Sequence, residues 1–453
     1  MKMKKNLWKV LTTSLALLLS VVLLASCGAG GGNGGGTETP IGDDGRVIAT
    51  FWHSMGGVSG MEIDNIVTAF NASQDRIEVR AYFQGEYEEA LTTFHAIAGT
   101  AEAPAIMQVF DVGTMSIAQS GHIIPVQYFI DRDNYDISVI EPAIISYYQI
   151  DGSFYSIPFN SSTPVMYFNM DAFRAAGLDP YSPPATFEEV EEVARIITES
   201  TGGAMRGFSV DAWGWIWEQL LANQGALLMN NNNGRTGIPT EVGFTFEEGY
   251  SILSFFARMV ADGSFATYGN WQDLYAGFFA EDVAMLICSS ASVVDMVTNS
   301  PFEVGVAFIP HPANRPRQGV VIGGASLWLV DHGNEEIHDA AWEFMKFVQR
   351  PEIQAQWHVG TGFLPINPAA RSEPIVVEAW EEMPQLQVAI DQLEATTVSY
   401  ATQGAIMDMI PFGRTIIETT LEAVFNGADP TEELNKAIQR LNDAIKEANM
   451  IRE

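Results

Sequence analysis

The run Val47-Ile48-Ala49-Thr50-Phe51-Trp52 is a strand-like apolar segment, and it opens a stretch in which two apolar periodicities alternate. Residues 61–70 place apolar side chains at helical spacing, and residues 77–81 alternate apolar with charged side chains as a half-exposed strand does. Residues 87–98 again fit a helix, and residues 105–110 form an apolar strand. Strands that alternate with helices predict an α/β fold with a mostly parallel sheet.

The later part of the chain repeats this pattern. Thr186-Phe187-Glu188-Glu189 has the form of a capping box and predicts a helix to about Thr198. Residues 283–288 and 304–309 are typical of buried strands, and residues 337–348 of an amphipathic helix. A last helix is expected after Asp429-Pro430. With 453 residues, the chain is long enough for two sizeable lobes.

The charge balance is strongly acidic. The chain has 23 Lys and Arg against 56 Asp and Glu, and four of the lysines precede Cys27 while no acid does. The remainder repels nucleic acid and anionic membrane surfaces, so we expect no nucleic-acid partner. An anionic ligand would need a local site, because the overall field opposes it.

The N-terminus has the form of an export signal. Residues 2–9 are basic, residues 10–24 are mainly apolar, and the run ends in Leu24-Ala25-Ser26-Cys27, which resembles the lipobox of bacterial lipoproteins. We therefore expect a signal peptide at 1–26, lipidation of Cys27 and a flexible Gly-rich tether at 27–45. An uncleaved membrane anchor is the alternative. Cys288 lies in an apolar run and is expected to be a buried packing residue.

Catalytic and metal-binding motifs are lacking. The seven histidines show no metal-ligand spacing, and there is no nucleophile elbow, Walker loop or Cys-x-x-Cys, so we expect no cofactor and no metal. Glycoside hydrolysis needs only two carboxylates, and a secreted glycoside-acting enzyme therefore stays open as an alternative.

Several segments instead favour binding. Arg414 lies among apolar residues, where it needs either an internal acidic partner or an anionic ligand such as phosphate. Residues 159–164 bring small hydrogen-bonding side chains into a turn, and residues 323–326 offer bare backbone N–H groups. Trp213 and Trp215 are close in sequence, and one such aromatic commonly lines a ligand cleft.

These residues carry a resemblance to a known family. The chain resembles the extracellular solute-binding proteins of carbohydrate-type ABC importers, and within them the glycerol-3-phosphate-binding proteins of Ugp-type importers. The matching segments run from about Val47 to the last helix. They are residues 51–57, 104–109, 158–164, 167–173, 176–178, 183–189, 322–328, 357–358 and 361–366.

The resemblance implies the two-lobe periplasmic-binding-protein fold of type II, with the ligand cleft between two α/β lobes. It places the first lobe at 46–157 and 309–350 and the second at 160–305 and 352–453. Pro158 and the strand 304–309 are the expected hinge crossings.

The resemblance also implies a set of ligand-binding residues. They are Tyr87, Asp111, Ser162, Trp213, Ser289, Gly324, Phe363 and Arg414, with Trp215 as the rival of Trp213 for the stacking role. Asp111 stands where the family has the longer Glu, and Phe363 stands where it has Tyr. Both departures bear on ligand identity more than on ligand class.

The function implied is capture of glycerol-3-phosphate or a glycerophosphodiester by a lipid-anchored monomer at the outer face of the cytoplasmic membrane. The partners would be the small phosphorylated glycerol ligand and the permease subunits with their ATPase, without turnover of the ligand. An oligosaccharide-binding protein of the same fold is the main alternative.

Overall fold

The structure is a computed structural model that describes residues 39–452. The expected signal peptide, Cys27 and the tether up to residue 38 lie outside the described residues. No helix within residues 39–452 is long and apolar enough to cross a membrane. The same residues contain no cluster of three or more His, Cys, Asp or Glu side chains that could hold a metal ion.

Thirteen strands are present among the described residues. They are β1 Val47–His53, β2 Ile77–Phe83, β3 Ile106–Phe110, β4 Ile123–Ile124, β5 Gln149–Ile150, β6 Ser153–Phe154, β7 Ile157–Ser162, β8 Pro164–Asn169, β9 Arg206–Val210, β10 Phe265–Ala266, β11 Val283–Ser289, β12 Val304–Ala307 and β13 Gly323–Val330.

Helices occupy most of the chain between these strands. The α-helices are Gly57–Ser73, Tyr87–Ile97, Thr114–Ala118, Gln127–Asp133, Pro142–Ile145, Met170–Ala175, Phe187–Ser200, Gly214–Asn223, Phe246–Asp262, Trp271–Phe279, Val293–Asn299, Glu335–Phe347, Pro351–Thr361, Pro374–Glu382, Gln385–Glu394, Ile410–Phe425 and Pro430–Arg452. Asn230–Asn233 is a turn with left-handed backbone at three asparagines.

The first sheet has the order β2-β1-β3-β13-β4, with β7 paired to the other end of β13. Strands β1, β2 and β3 are parallel, as βαβ connections require, and β13 runs antiparallel to β3, β4 and β7. The helices Gly57–Ser73 and Glu335–Phe347 pack against this sheet. We call the sheet and these helices the first lobe.

The second sheet has the order β10-β9-β11-β8-β12. Strands β9, β10 and β11 are parallel, whereas β8 is antiparallel to both β11 and β12. The helices Phe187–Ser200 and Trp271–Phe279 pack on it and complete the second lobe. The chain passes from the first sheet to the second between Ser162 and Pro164, and returns between Ala307 and Gly323.

The elements expected from sequence are present. The strand and helices expected at 47–52, 61–70 and 87–98 are observed, and Thr186 caps its helix in a complete capping box with Glu189. The expectation of a mostly parallel sheet is correct for the βαβ segments but wrong for the sheets as a whole. Both are mixed, because β8 and β13 each enter a sheet from the opposite lobe and add in the antiparallel direction.

The lobe boundaries stay a prediction. Strand β7 pairs with β13 through Ser162, beyond the expected limit of 157, and the helix Pro351–Thr361 packs against Gly57–Ser73. Both contacts bear on where the boundaries should be drawn.

Candidate ligand cleft

A cavity of about 840 Å³ opens where the strands of the two sheets end. All eight residues expected at the site line it, and so does Trp215. They are Tyr87, Asp111, Ser162, Trp213, Ser289, Gly324, Phe363 and Arg414. Residues from more than 300 positions of sequence therefore meet in one place, as a two-lobe fold with several crossings allows.

Strand ends position much of this lining. Asp111 directly follows β3, Ser162 ends β7, Ser289 ends β11 and Gly324 lies at the start of β13. Ligand sites of open α/β sheets commonly form beyond such strand ends. Tyr87 begins its helix at the same edge and stacks on Phe110, with ring centroids 5.3 Å apart and planes within 9°.

Arg414 is buried and lies in a cluster with two carboxylates. Its Nε and Nη2 donate to the two carboxylate oxygens of Glu218, at 2.8 and 2.9 Å, and Nη2 also donates to Oδ2 of Asp111 at 2.9 Å. Glu218 belongs to the helix Gly214–Asn223, which directly follows β9 of the second sheet, whereas Asp111 follows β3 of the first sheet. The cluster therefore joins the two lobes.

The helix Gly214–Asn223 approaches Arg414 closely because it begins with glycine. A β-carbon at Gly214 would lie 2.7 Å from the Arg414 α-carbon, which is too short for any side chain. This approach lets Glu218 form the two-oxygen, planar pairing that suits a guanidinium.

The cluster keeps Arg414 charged. Burial disfavours the cation, but the carboxylates of Asp111 and Glu218 outweigh that effect and raise the pKa of Arg414 above its ordinary value. The structure shows the internal acidic partners: Nε and Nη2 form ion pairs with Glu218 and Asp111, while Nη1 has no partner within residues 39–452. Arg414 is also one of the residues that line the cavity, so a role in holding an anionic ligand stays a prediction.

The two tryptophans have different surroundings. Trp213 is 39% exposed and can present a ring face to a ligand, whereas Trp215 is 2% exposed and packs against it with ring centroids 4.8 Å apart. The indole N–H of Trp215 has no acceptor within the described part of the chain. The structure thus supports Trp213 for stacking and gives Trp215 a buried donor at the cavity wall.

Gly324 occupies a position that only glycine fits. Its φ is +97°, and a β-carbon there would lie 1.8 Å from the carbonyl oxygen of Asn160. The cleft wall at this point is therefore bare backbone.

Sequence reasoning missed the acidic side of the cleft. Glu86, Glu88, Asp211 and Glu418 line the cavity together with Asp111, and among residues 39–452 Arg414 is the one basic residue in the lining. Burial raises the pKa of both Asp211 and Glu418, and in Glu418 the neighbouring Asp211 adds to the effect. The cleft thus carries an excess of carboxylates.

A family model described as bacterial extracellular solute-binding protein matches residues 65–385. The chain belongs to this family.

Curated relatives match most of this chain. The chain is 34% identical to the sn-glycerol-3-phosphate-binding periplasmic protein UgpB of Yersinia enterocolitica, over 86% of this chain and 90% of the relative. The corresponding protein of Salmonella typhimurium is 33% identical, over 87% of this chain and 92% of the relative.

Solved structures show the same two-lobe fold. UgpB from Mycobacterium tuberculosis in complex with glycerophosphocholine matches with a TM-score of 0.76 at 22% identity, over 89% of this chain and 99% of that one. The cyclic alpha-maltosyl-1,6-maltose binding protein from Arthrobacter globiformis gives a TM-score of 0.74 at 22% identity, over 89% and 100% of the two chains.

The remaining sequence predictions concern Cys288 and Phe363. Cys288 is buried, as expected, and burial raises the pKa of its thiol well above the ordinary range. Phe363 lies beside the cavity with its ring stacked on Trp357 at a centroid distance of 5.6 Å. The following residue, Leu364, donates its backbone N–H to the carbonyl of Ser161 and fixes this loop against β7.

A buried histidine holds the Phe363 loop of the solute-binding protein. Nε2 of His358 accepts from the indole N–H of Trp380 at 2.9 Å, and Nδ1 lies 2.7 Å from the Phe363 carbonyl oxygen. Because an indole only donates, Nε2 is the bare nitrogen and Nδ1–H donates to Phe363. Burial lowers the pKa of His358 to about 4.

Because its pKa is lowered in the folded state, His358 should make the free energy of unfolding decrease as the pH falls. An unfolded histidine titrates near pH 6.5, so the unfolded state binds the extra proton first as pH falls. Stability from this residue is complete above about pH 6.5 and decreases towards pH 4, by up to about 3 kcal/mol. Urea denaturation at pH 7.5, 6 and 5 should show a shallower loss for His358→Gln than for the wild type. Equal pH slopes would contradict this role.

Proposed function

We propose that the protein is the substrate-binding component of an ABC importer and that it captures a glycerophosphodiester, with glycerol-3-phosphate as a weaker ligand. The observation that carries the proposal is Arg414, one basic group in a cleft whose remaining charged groups are carboxylates. Support also comes from relatives that are named as glycerol-3-phosphate-binding proteins and from the structural neighbour in complex with glycerophosphocholine.

The proposed roles follow from the contacts. Nη1 of Arg414 would donate to a phosphate oxygen, with the hydroxyls of Ser162 and Ser289 and the backbone at Gly324 beside it. Asp111 would accept from glycerol hydroxyls, and Trp213 would cover the carbon chain. Glu218 would hold the guanidinium plane in register without contacting the ligand.

Charge favours the diester over the monoester. A phosphate monoester carries about −1.5 to −2 charges at neutral pH, whereas a diester carries one. Arg414 with Asp111 and Glu218 forms a cluster of net charge −1, so each additional negative charge on the ligand adds to the repulsion and the monoester is disfavoured. A diester with a cationic substituent would in addition match Asp211 and Glu418, beside the exposed rings of Trp213 and Phe412.

Arg414→Ala should weaken ligand binding by roughly 30-fold to several thousand-fold, because truncating one partner of a buried charge pair costs about 2 to 5 kcal/mol. Arg414→Lys should recover only part, since an ammonium cannot form the planar fork. Isothermal titration with glycerophosphocholine measures both.

Arg235 provides the control for Arg414. It is a half-buried arginine outside the cleft that donates to main-chain carbonyls, including those of Gly404 and Gln403. Arg235→Ala should lower the melting temperature and leave affinity unchanged. If Arg414→Ala behaves in the same way, Arg414 is structural and the phosphate site lies elsewhere.

The diester proposal predicts that glycerophosphocholine binds more tightly than glycerol-3-phosphate. The double variant Asp211→Asn and Glu418→Gln removes two carboxylates that would pair with the cationic group of the diester, so diester binding should weaken by about 5- to 30-fold. Binding of glycerol-3-phosphate, which has no cationic group, should stay equal or become stronger. Parallel titrations of the two ligands decide this. Equal losses for both ligands would contradict a cation-recognising wall.

The two alternative functions have direct tests. An oligosaccharide-binding protein of this fold would bind maltose or a longer sugar by stacking and hydroxyl–carboxylate contacts without needing Arg414. A glycoside- or phosphodiester-acting enzyme would consume its ligand, which phosphorus NMR or sugar analysis during incubation would reveal. The known relatives are solute-binding proteins, which favours binding without turnover.

The proposal includes a lipid anchor and a membrane partner. The lipobox-like Leu24–Cys27 supports acylation of Cys27, with the monomer tethered at the outer face of the cytoplasmic membrane beside its permease. The Gly-rich composition after Cys27 supports a tether that would let the two lobes reach the permease.

Cys27→Ser should release the protein from membranes, because one or more acyl chains on this residue would be the anchor. Fractionation of cells expressing full-length wild type and variant, followed by immunoblotting, measures this. A matched Cys288→Ser variant should stay membrane-associated. Retention of Cys27→Ser in the membrane fraction would favour the uncleaved anchor instead.

A further inference from the structure

A line of oriented hydrogen bonds ends at the Tyr87 hydroxyl. The backbone N–H of Ser54 donates to Oε1 of Gln108 at 2.8 Å. Nε2 of Gln108 donates to Oδ1 of Asn160 at 2.8 Å, and Nδ2 of Asn160 donates to Oη of Tyr87 at 2.9 Å. Gln108 and Asn160 are 1% and 0% exposed.

The direction of the whole line follows from its first member. A backbone N–H only donates, so the Gln108 oxygen must face Ser54 and its NH₂ must face Asn160. Asn160 is then forced to turn its oxygen to Gln108 and its NH₂ to Tyr87. Reversing either amide would bring two donors or two acceptors together inside the protein, which is costly at such low exposure.

These hydrogen bonds leave the hydroxyl proton of Tyr87 free to donate to another group. Its oxygen accepts from Asn160, and its own O–H has no acceptor within residues 39–452, at a position on the cavity wall. Burial raises the pKa of this phenol, so the hydroxyl stays protonated. Stacking on Phe110 limits the ring to one plane.

We infer that Gln108 and Asn160 are positioning residues that make Tyr87 a dedicated hydrogen-bond donor to the ligand. The group recognised at this point is an acceptor oxygen, whether of a phosphate or of a glycerol hydroxyl. The inference rests on the proposed function, because it requires a phosphorylated glycerol ligand in the cleft. Gln108 and Asn160 would thus influence ligand specificity without contacting the ligand.

Asn160→Asp tests the direction of the last hydrogen bond. The carboxylate keeps its contact with Gln108 but can only accept from Tyr87, which turns the phenol proton away from the cleft. Binding of glycerophosphocholine should weaken by about 10- to 100-fold, the usual range for a hydrogen bond to a charged ligand. Tyr87→Phe should weaken it to a similar extent.

A double-mutant cycle separates positioning from general damage. In the Tyr87→Phe background, Asn160→Asp should have little further effect on affinity, because the proton that it redirects is already absent. Asn169→Asp is the matched control, since Asn169 is equally buried and caps the helix Met170–Ala175 outside the cleft lining. It should leave affinity unchanged.

Gln108→Leu provides a second variant if Asn160→Asp folds poorly. It frees the Asn160 amide to turn over and should weaken binding by about 3- to 10-fold, again only when Tyr87 is present. Equal losses with and without the Tyr87 hydroxyl would overturn the inference while the wild type still binds. Failure of the wild type to bind either phosphorylated glycerol compound would instead overturn the proposed function.

Discussion

The buried charge of Arg414 constrains the rest of the cleft. A guanidinium removed from water costs several kcal/mol unless anions and hydrogen-bond acceptors replace the lost hydration. Asp111 supplies one acceptor from the first lobe, and Glu218 supplies two from a helix of the second. The glycine that opens this helix, the close approach of the helix Ile410–Phe425 and the position of Asp111 after β3 all serve that compensation. The contact also favours approach of the two lobes without ligand, since it joins them directly.

The sequence predicted the elements and the lining better than the partners. Apolar periodicity is local, so β1 and the helix after it could be read from adjacent residues. The lining residues were found by resemblance, because each belongs to a short motif. Glu218 escaped because its role depends on two helices whose paired residues are 196 positions apart. The antiparallel direction of β13 could not be predicted for a similar reason. The strands that pair with β13 are determined by where the chain crosses between the lobes and not by the sequence of β13 itself.

The proposed function requires a strongly acidic protein to bind an anion. Carboxylates are part of the site itself: Asp111 and Glu218 accept from the guanidinium of Arg414, and Asp211 and Glu418 line the same cavity. Long-range repulsion falls off within about 8 Å at physiological salt, so short-range hydrogen bonds decide the outcome. Under the proposed function, a ligand that carries both signs of charge would pair its phosphate with Arg414 and its cationic group with Asp211 and Glu418. The charge of the substituent would then distinguish one phosphorylated glycerol compound from another.

The bare backbone at Gly324 has a consequence for how this protein can acquire new ligand preferences. No side chain fits at Gly324 without displacing the carbonyl of Asn160, whose side-chain amide donates to Tyr87. This part of the cleft therefore tolerates almost no substitution. By contrast, Phe412 is 57% exposed, and Asp211 and Glu418 are partly exposed. Substitutions at these exposed or partly exposed positions should therefore destabilise the protein less than a substitution at Gly324. Under the proposed function, evolution can therefore change the head group that is recognised more easily than the glycerol phosphate moiety.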